Sequence, residues 1–388
     1  MALTAEEKFC ILQHQASTVL MMLQHQLGST ATLMIKLSLV DNDIGRSATA
    51  TSFIVSAISA IHLVGGPTIG SLSDRFGRKT FMFTDSVARL GWNLFNLSPL
   101  CNSIERYGLA AILFHGVLSA GSQQVRAASL DDLFGSRPSV GAQIRARTAF
   151  WHSVASLAGP IIGAELSRRN RGAALWAAAS VSVLQLPLTM AFRETLPKKD
   201  RTSTFNLDQV NPVRNIGILL RSGPGLRGLT ATNFIYHLSN GVERTKGDYV
   251  MGSFGWSPQD LSYFGSFQGL MGMFSQSTVV VQLLRRFGSA GAFRIGSCFS
   301  AAAMFGISQA FRFNTNAGGR PGSKLLATAC FLLAHLVWTG GHVCPLALQT
   351  ITIKQGINVV PKGTGLGELN AALGGMAAMV GVVSPLLW

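Results

Sequence analysis

Apolar stretches of about 20 residues recur along the chain, separated by short polar connections. Each is long enough to cross a bilayer as an α-helix, because about 20 residues at 1.5 Å rise match a hydrocarbon layer about 30 Å thick. The pattern places helices at roughly 14–40, 48–72, 80–100, 107–130, 148–167, 172–192, 229–252, 259–284, 292–312, 324–350 and 366–388, about eleven in all. The first is the least regular, with Gln24, His25 and Gln26 in its middle. The longest polar stretch, about 193–228, is basic and contains Pro and Gly. It divides the chain into an N-terminal group of six spans (1–192), a linker (193–228) and a C-terminal group of five (229–388).

A repeat supports this division. Leu72-Ser73-Asp74-Arg75-Phe76-Gly77 matches Leu283-Leu284-Arg285-Arg286-Phe287-Gly288 at an offset of about 211, and Gly45-Arg46-Ser47 aligns with Gly255-Trp256-Ser257 at nearly the same offset. Gly159-Pro160 aligns less closely with Ser384-Pro385. The same arithmetic puts a counterpart of the sixth span beyond Trp388, so the second group is expected to lack its last helix. Homologous halves of this kind point to a carrier with its site at their interface.

Composition agrees with a polytopic membrane protein. Charged residues are 13% of the 388, against about 25% in a typical soluble domain, and hydrophobic residues are 48%. Mean hydropathy is +0.33. The 42 glycines suit close helix packing. Lys and Arg number 32 against 17 Asp and Glu, which in a soluble protein would suggest nucleic acid. Here the cations fall mainly in the connections, 19 on one side and 11 on the other. The positive-inside rule then makes the N-terminus and the central linker cytoplasmic, although Arg168, Arg169 and Arg171 run against it. The N-terminus has no basic leader region, so no cleavable signal is expected. The five cysteines show neither metal spacing nor a disulfide framework. No Walker loop, His-Glu-x-x-His, Cys-x-x-Cys or Gly-x-Ser-x-Gly occurs, so no cofactor, metal or enzymatic reaction is expected.

The connection between spans two and three reads Gly70-Ser71-Leu72-Ser73-Asp74-Arg75-Phe76-Gly77-Arg78-Lys79. It resembles the G-x-L-x-D-R-x-G-R-K signature of the major facilitator superfamily. Gly159-Pro160-Ile161-Ile162-Gly163-Ala164 is similar to the G-P-x-x-G-G element of proton-coupled exporters, with Ala164 in place of the last Gly and Trp151 at the usual upstream Gly. Arg193-Glu194-Thr195-Leu196-Pro197 resembles the tail closing the first half in such proteins. The nearest pattern is the tetracycline-resistance-like, drug:proton antiporter branch. The resemblance implies an all-α fold of two pseudo-symmetric six-helix bundles and solute transport by alternating access. It also implies that Asp74, Arg75 and Arg78 control a gate while Gly159 and Pro160 shape span five. On physical grounds, Gly70 and Gly77 permit a tight turn, and Asp74 can accept hydrogen bonds from Arg78 or from the N-terminus of a facing helix. The resemblance makes that helix span eleven, near Gly365–Glu368. Alternatively Arg75, Arg78 and Lys79 only set topology.

Ionisable groups inside spans are candidates by default. Asp85 and Arg89 are four apart and can pair on one helix face, either for coupling or as an interfacial ion pair. His115 could carry a proton or be structural. In the family an Arg often stands four residues before a Gly in this span, and the matching position here is Ile112. Asn233, Tyr236 and His237 lie on span seven and Gln268 and Gln276 on span eight. His335, Trp338 and His342 share one face of span ten, where they either line a cavity or bind neighbouring helices. Glu243, Arg244, Lys246 and Asp248 form a solvated face or a gate. The expected partners are a small organic solute, protons and the lipid bilayer, with no nucleic acid and a monomeric state. A non-transporting receptor or regulator on the same fold, a membrane enzyme, or an inactive truncated product are the rival readings.

Overall fold

The computed structural model describes residues 4–134, 137–198, 224–240, 246–316 and 321–342, with the short stretch 378–380 and positions 201, 211, 214, 217, 220, 344, 351 and 382. The ordered elements among them are helices, joined mostly by turns of a few residues. We number them α1 (Ala5–Ser38), α2 (Ile44–Phe76), α3 (Arg78–Leu97), α4 (Ile104–Ala111), α5 (Ser122–Phe134), α6 (Pro138–Arg169), α7 (Arg171–Met190), α8 (Pro224–Asn240), α9 (Lys246–Phe254), α10 (Pro258–Phe274), α11 (Val280–Asn316) and α12 (Pro321–Trp338). A π-helical segment, Ile112–Leu118, joins α4 towards α5, and another, Ser275–Val279, joins α10 to α11. Four described stretches are long and apolar enough to cross a membrane: Ile44–Phe76, Arg171–Met190, Pro258–Asn314 and Lys324–Gly341. Others, such as α1 with 34 residues, have the length but carry many polar side chains. The expected eleventh span, 366–388, and its Gly365–Glu368 terminus lie almost wholly outside the described residues, as does most of the linker.

Local chemistry explains the boundaries. The Thr4 hydroxyl and the Glu7 carboxylate cap each other's backbone N–H at the start of α1, which satisfies two of the donors a helix N-terminus leaves free. Ser257 and Asp260 repeat the device at α10. Asp43 caps α2 and Ser103 caps α4. The two glycines matched by the repeat occupy equivalent breaks. Gly77 divides α2 from α3 at φ 100°, and Gly288 interrupts α11 at φ 64°, both in the region that disfavours side chains.

Small residues let helices approach where larger ones could not. A methyl group at Gly159 would lie 2.5 Å from the Gln26 Cβ, and one at Gly163 would lie 2.5 Å from the Leu27 carbonyl oxygen, so α6 lies directly on α1. On α10, Gly265, Gly269 and Gly272 face Pro160, the Ser156–Leu157 backbone and Ser153 of α6. These i, i+4 and i+7 positions form one stripe, the small-residue packing typical of membrane helices.

Candidate functional site

Three groups of polar side chains stand out, one at each end of the helices and one between. At the Asp74 end, Gly77 caps α3 without a side-chain hydrogen bond. Glu194 supplies the missing acceptor: its Oε1 receives the Arg78 N–H at 2.9 Å and its Oε2 the Lys79 N–H at 3.3 Å. A carboxylate at a helix N-terminus also meets the positive end of the helix dipole. The Arg78 side chain is buried and reaches Asp74 at 2.5 Å, the Ser73 hydroxyl at 2.5 Å and Asp132 of α5 at 3.2 Å. Thr195 donates to the same Asp132 oxygen at 3.1 Å. The Asp74–Arg78 pair matches the expectation from the sequence. Asp132 and the capping role of Glu194 are findings of the structure. At this end Glu7 pairs with Arg137, and Arg145 reaches Asp131 at 2.6 Å. The Thr4 N–H first, then Arg137, hold the Glu7 carboxyl below its ordinary range. Its stabilising contribution is therefore present at neutral pH and lost as pH falls through the lowered value.

Between the ends, Asp85 of α3 is fully buried. Arg89 Nε lies 3.2 Å from both of its carboxylate oxygens, and Arg126 Nη2 of α5 lies 3.3 Å from one of them. Arg126 Nη1 donates to Ser17 of α1 at 2.9 Å, while its buried Nε has no partner among the described residues. Arg126 is the main residue that the sequence reading missed. An ionisable side chain inside a predicted span is itself a signal, but the family pattern points to Ile112 instead. His115 sits in the π-helical segment, its ring edge-on to Trp92 with centroids 4.9 Å apart. Its carbonyl oxygen accepts from His62 Nε2 of α2 at 2.8 Å, which fixes the proton on that nitrogen. His115 lies within electrostatic reach of Arg89, Asp85, His25 and His62, and His25 within reach of Arg89 and His152. Alongside runs an uncharged network. Gln24 donates to Gln185 at 3.0 Å, Asn93 donates to Ser182 at 2.9 Å, and Ser182 donates to Gln24.

At the opposite end, Lys36 of α1 reaches Asp248 of α9 at 3.1 Å and Thr51 at 2.5 Å, and Ser47 donates to Asp248 at 3.0 Å. Both charged side chains are buried, so the solvated-face alternative for Asp248 does not hold. Thr30 and Ser262 hydrogen-bond at 2.5 Å, and Ser56 donates to the Val382 carbonyl at 3.0 Å. Apart from Lys36–Thr51, which ties α1 to α2, each of these pairs joins a helix before the linker to a segment after it. With the α6–α10 stripe they form the junction between the two parts.

The candidates in the second part are less gathered. His335 is buried, its ring 4.3 Å from that of Phe331 and 4.8 Å from that of Phe264, and Trp338 stacks beside it at 6.3 Å. This is the geometry of helix packing rather than of an open cavity wall. The side chains of Asn233, His237 and His342 lie outside the described residues, as do Glu243 and Arg244. Tyr236 and Gln268 are half-buried on α8 and α10. A groove of about 480 Å³ is lined by Trp256, Asp260, Tyr263, Phe264, Phe267 and Leu332. No group of three or more metal-ligating side chains is found among the described residues.

The Major Facilitator Superfamily family model matches residues 18–383. No curated protein matches in sequence. Several solved structures share the fold. The human organic anion transporter MFSD10 (TETRAN) superposes with TM-score 0.64 at 19% identity, over 98% of this chain and 96% of that one. A point mutant of the nucleoside transporter NupG gives 0.63 at 11% identity, over 97% and 91%. The xylose transporter XylE from E. coli, in a partially occluded inward-open conformation, gives 0.63 at 14% identity, over 97% and 91%.

Proposed function

Because the chain belongs to the major facilitator superfamily, a family of membrane carriers rather than enzymes, we propose that it is a secondary transporter that moves a small organic solute by alternating access and couples that movement to protons. The observation that carries this reading is the distribution of contacts across the junction. The buried Lys36–Asp248 pair, the Thr30–Ser262 bond and the α6–α10 stripe close the Lys36 end. A buried ion pair that joins two bodies is costly to leave half-made, so it favours two discrete states over a continuum. Asp74, Arg78, Asp132 and Glu194 form the corresponding control at the other end, which the basic connections make cytoplasmic. On this reading the closed Lys36 end faces outward, the Asp74 end opens inward, and the carrier works as a monomer. The neighbours carry an organic anion, a nucleoside and a sugar, so the fold alone selects no substrate.

Proton coupling rests on buried Asp85 and on His115 with its histidine neighbours, the ionisable groups lodged between the ends. The test is flux into proteoliposomes with and without an imposed pH gradient. Uptake that rises with the gradient supports coupling, and uptake indifferent to it removes coupling while leaving transport. Asp74→Asn is expected to slow turnover without loss of membrane insertion. Unchanged turnover would remove Asp74 from the gate.

A further inference from the structure

Resting on the transporter reading, we propose that Arg89 is the seat for the oxyanion group of an organic substrate, a carboxylate in the first instance. The charge balance argues for it first. One carboxylate, Asp85, serves two guanidinium groups, those of Arg89 and Arg126, and no other carboxylate contacts either among the described residues. With neutral imidazoles the cluster keeps one uncompensated positive charge inside a membrane helix bundle. A charge in that environment is paired, hydrated or reserved for a ligand.

The geometry then shows where the opening is. Asp85 is sealed at 0% exposure and Arg126 at 7%, whereas the Arg89 side chain keeps 15%. Arg89 spends only Nε on Asp85, and both Nη groups are without a partner among the described residues. A guanidinium anchored through Nε presents its two amino groups as a fixed fork, which matches the two oxygens of a carboxylate. Around the fork, His25 is exposed although it lies well inside α1, and His115 is half-buried. Both are within electrostatic reach of Arg89, and neither ring makes a hydrogen bond among the described residues.

The position suits a carried ligand. His152 of α6 lies within electrostatic reach of His25. The next residue, Ser153, lies 2.8 Å from where a methyl group at Gly272 of α10 would stand. The cluster thus borders the junction that alternating access opens and closes.

The test uses the purified full chain in detergent, so it does not depend on transport. Thermal unfolding and calorimetric titration are recorded with benzoate, succinate and phenyl phosphate, and with the neutral analogue benzamide. Binding of at least one anion with no effect of benzamide supports the proposal, and the panel identifies the preferred oxyanion. Equal response to benzoate and benzamide, or response to none of the anions, overturns it. Arg89→Gln leaves the Asp85–Arg126 pair intact and should fold, with anion affinity at least tenfold lower; unchanged affinity overturns the proposal. Should that variant not fold, Arg89→Lys keeps the charge and loses the fork. A drop of threefold or more then supports the assignment and an unchanged affinity overturns it. Anion binding without flux of any solute would refute transport and leave this site standing. Flux of neutral solutes by a protein that binds none of the anions would do the reverse.

Discussion

The helices before the linker and those after it solve the same packing problem with different side chains. Inside α1–α7 apolar clusters are joined by buried polar ones: the Asp85–Arg89–Arg126 cluster and the chain of Gln24, Ser182, Asn93 and Gln185. Inside α9–α12 they are aromatic. Phe331 is fully buried, with ring centroids of Phe254, Trp256, Phe264, Phe311 and His335 all within 5.8 Å. In a bilayer, lipid tails are as apolar as the side chains, so ring stacking gains dispersion and shape but little from leaving water. Polar contacts there gain direction and fix which helix faces which. Ionisable groups are therefore concentrated in the core of the first part, and aromatic rings in that of the second.

The sharpest way to break this comparison is Asp85→Asn. It leaves the buried Arg126 and the half-buried Arg89 guanidinium groups without a carboxylate, and breaking a buried ion pair costs about 3–5 kcal/mol. The variant should show a strongly lowered unfolding temperature and poor monodispersity. Replacing Asp85, Arg89 and Arg126 together with apolar residues of similar volume should recover most of that stability and none of the anion binding. If Asp85→Asn unfolds like the wild type, the first part is not organised around its charge.

Phe331→Ala probes the other part. Removing a ring in contact with five others leaves a cavity, with a cost of about 3 kcal/mol by analogy with large-to-small changes in cores. The loss should appear in thermal unfolding, with anion affinity at Arg89 unchanged. A loss of affinity as large as that of stability would mean that the two parts do not divide the work as argued.

What the sequence made legible follows the same division. The Asp74–Arg78 pair could be read because ten contiguous residues specify its connection, and Asp85–Arg89 because four-residue spacing places both on one face. The Lys36–Asp248 pair could not be read, since its partners are 212 positions apart and Lys36 resembles an ordinary loop cation. Nor could the π-helical register at Ile112–Leu118 around His115, which has no simple periodicity. Spacing groups His335, Trp338 and His342 on one face. Spacing does not say what a face meets, and for His335 the neighbours are Phe264 and Phe331. Glycine spacing on α10 was equally open to reading, but its partner, the Ser156–Leu157 backbone, is a tertiary fact.

That contact gives a third prediction. In Gly269→Ala the new methyl would stand 2.7 Å from the Ser156 carbonyl oxygen and closer still to the Leu157 nitrogen, so α6 and α10 must separate. Overpacking of this kind costs about 1–3 kcal/mol. The cost falls on the state in which the stripe is closed. Solute flux should therefore change more than the unfolding temperature, and crosslinking between cysteines placed at positions 153 and 272 should weaken. Unaltered crosslinking would show that the stripe is not a contact between moving bodies.

The smallest effect is expected at Asn93→Leu, in the uncharged network. Ser182 accepts from Asn93, and its single hydroxyl proton has two acceptors in reach, the Gln24 side-chain oxygen and the Ala178 carbonyl, so the loss of Asn93 leaves no donor stranded on that hydroxyl. Side-chain hydrogen bonds between membrane helices average about 0.6 kcal/mol, because the separated helices find other partners. Asn93→Leu should therefore lower the unfolding temperature by only a degree or two, near the limit of measurement. The contrast with Asp85, two turns away on the same helix, isolates the effect of charge from that of polarity. If Asn93→Leu proved as damaging as Asp85→Asn, the network as a whole, and not the buried charge imbalance, would be what holds the first part together.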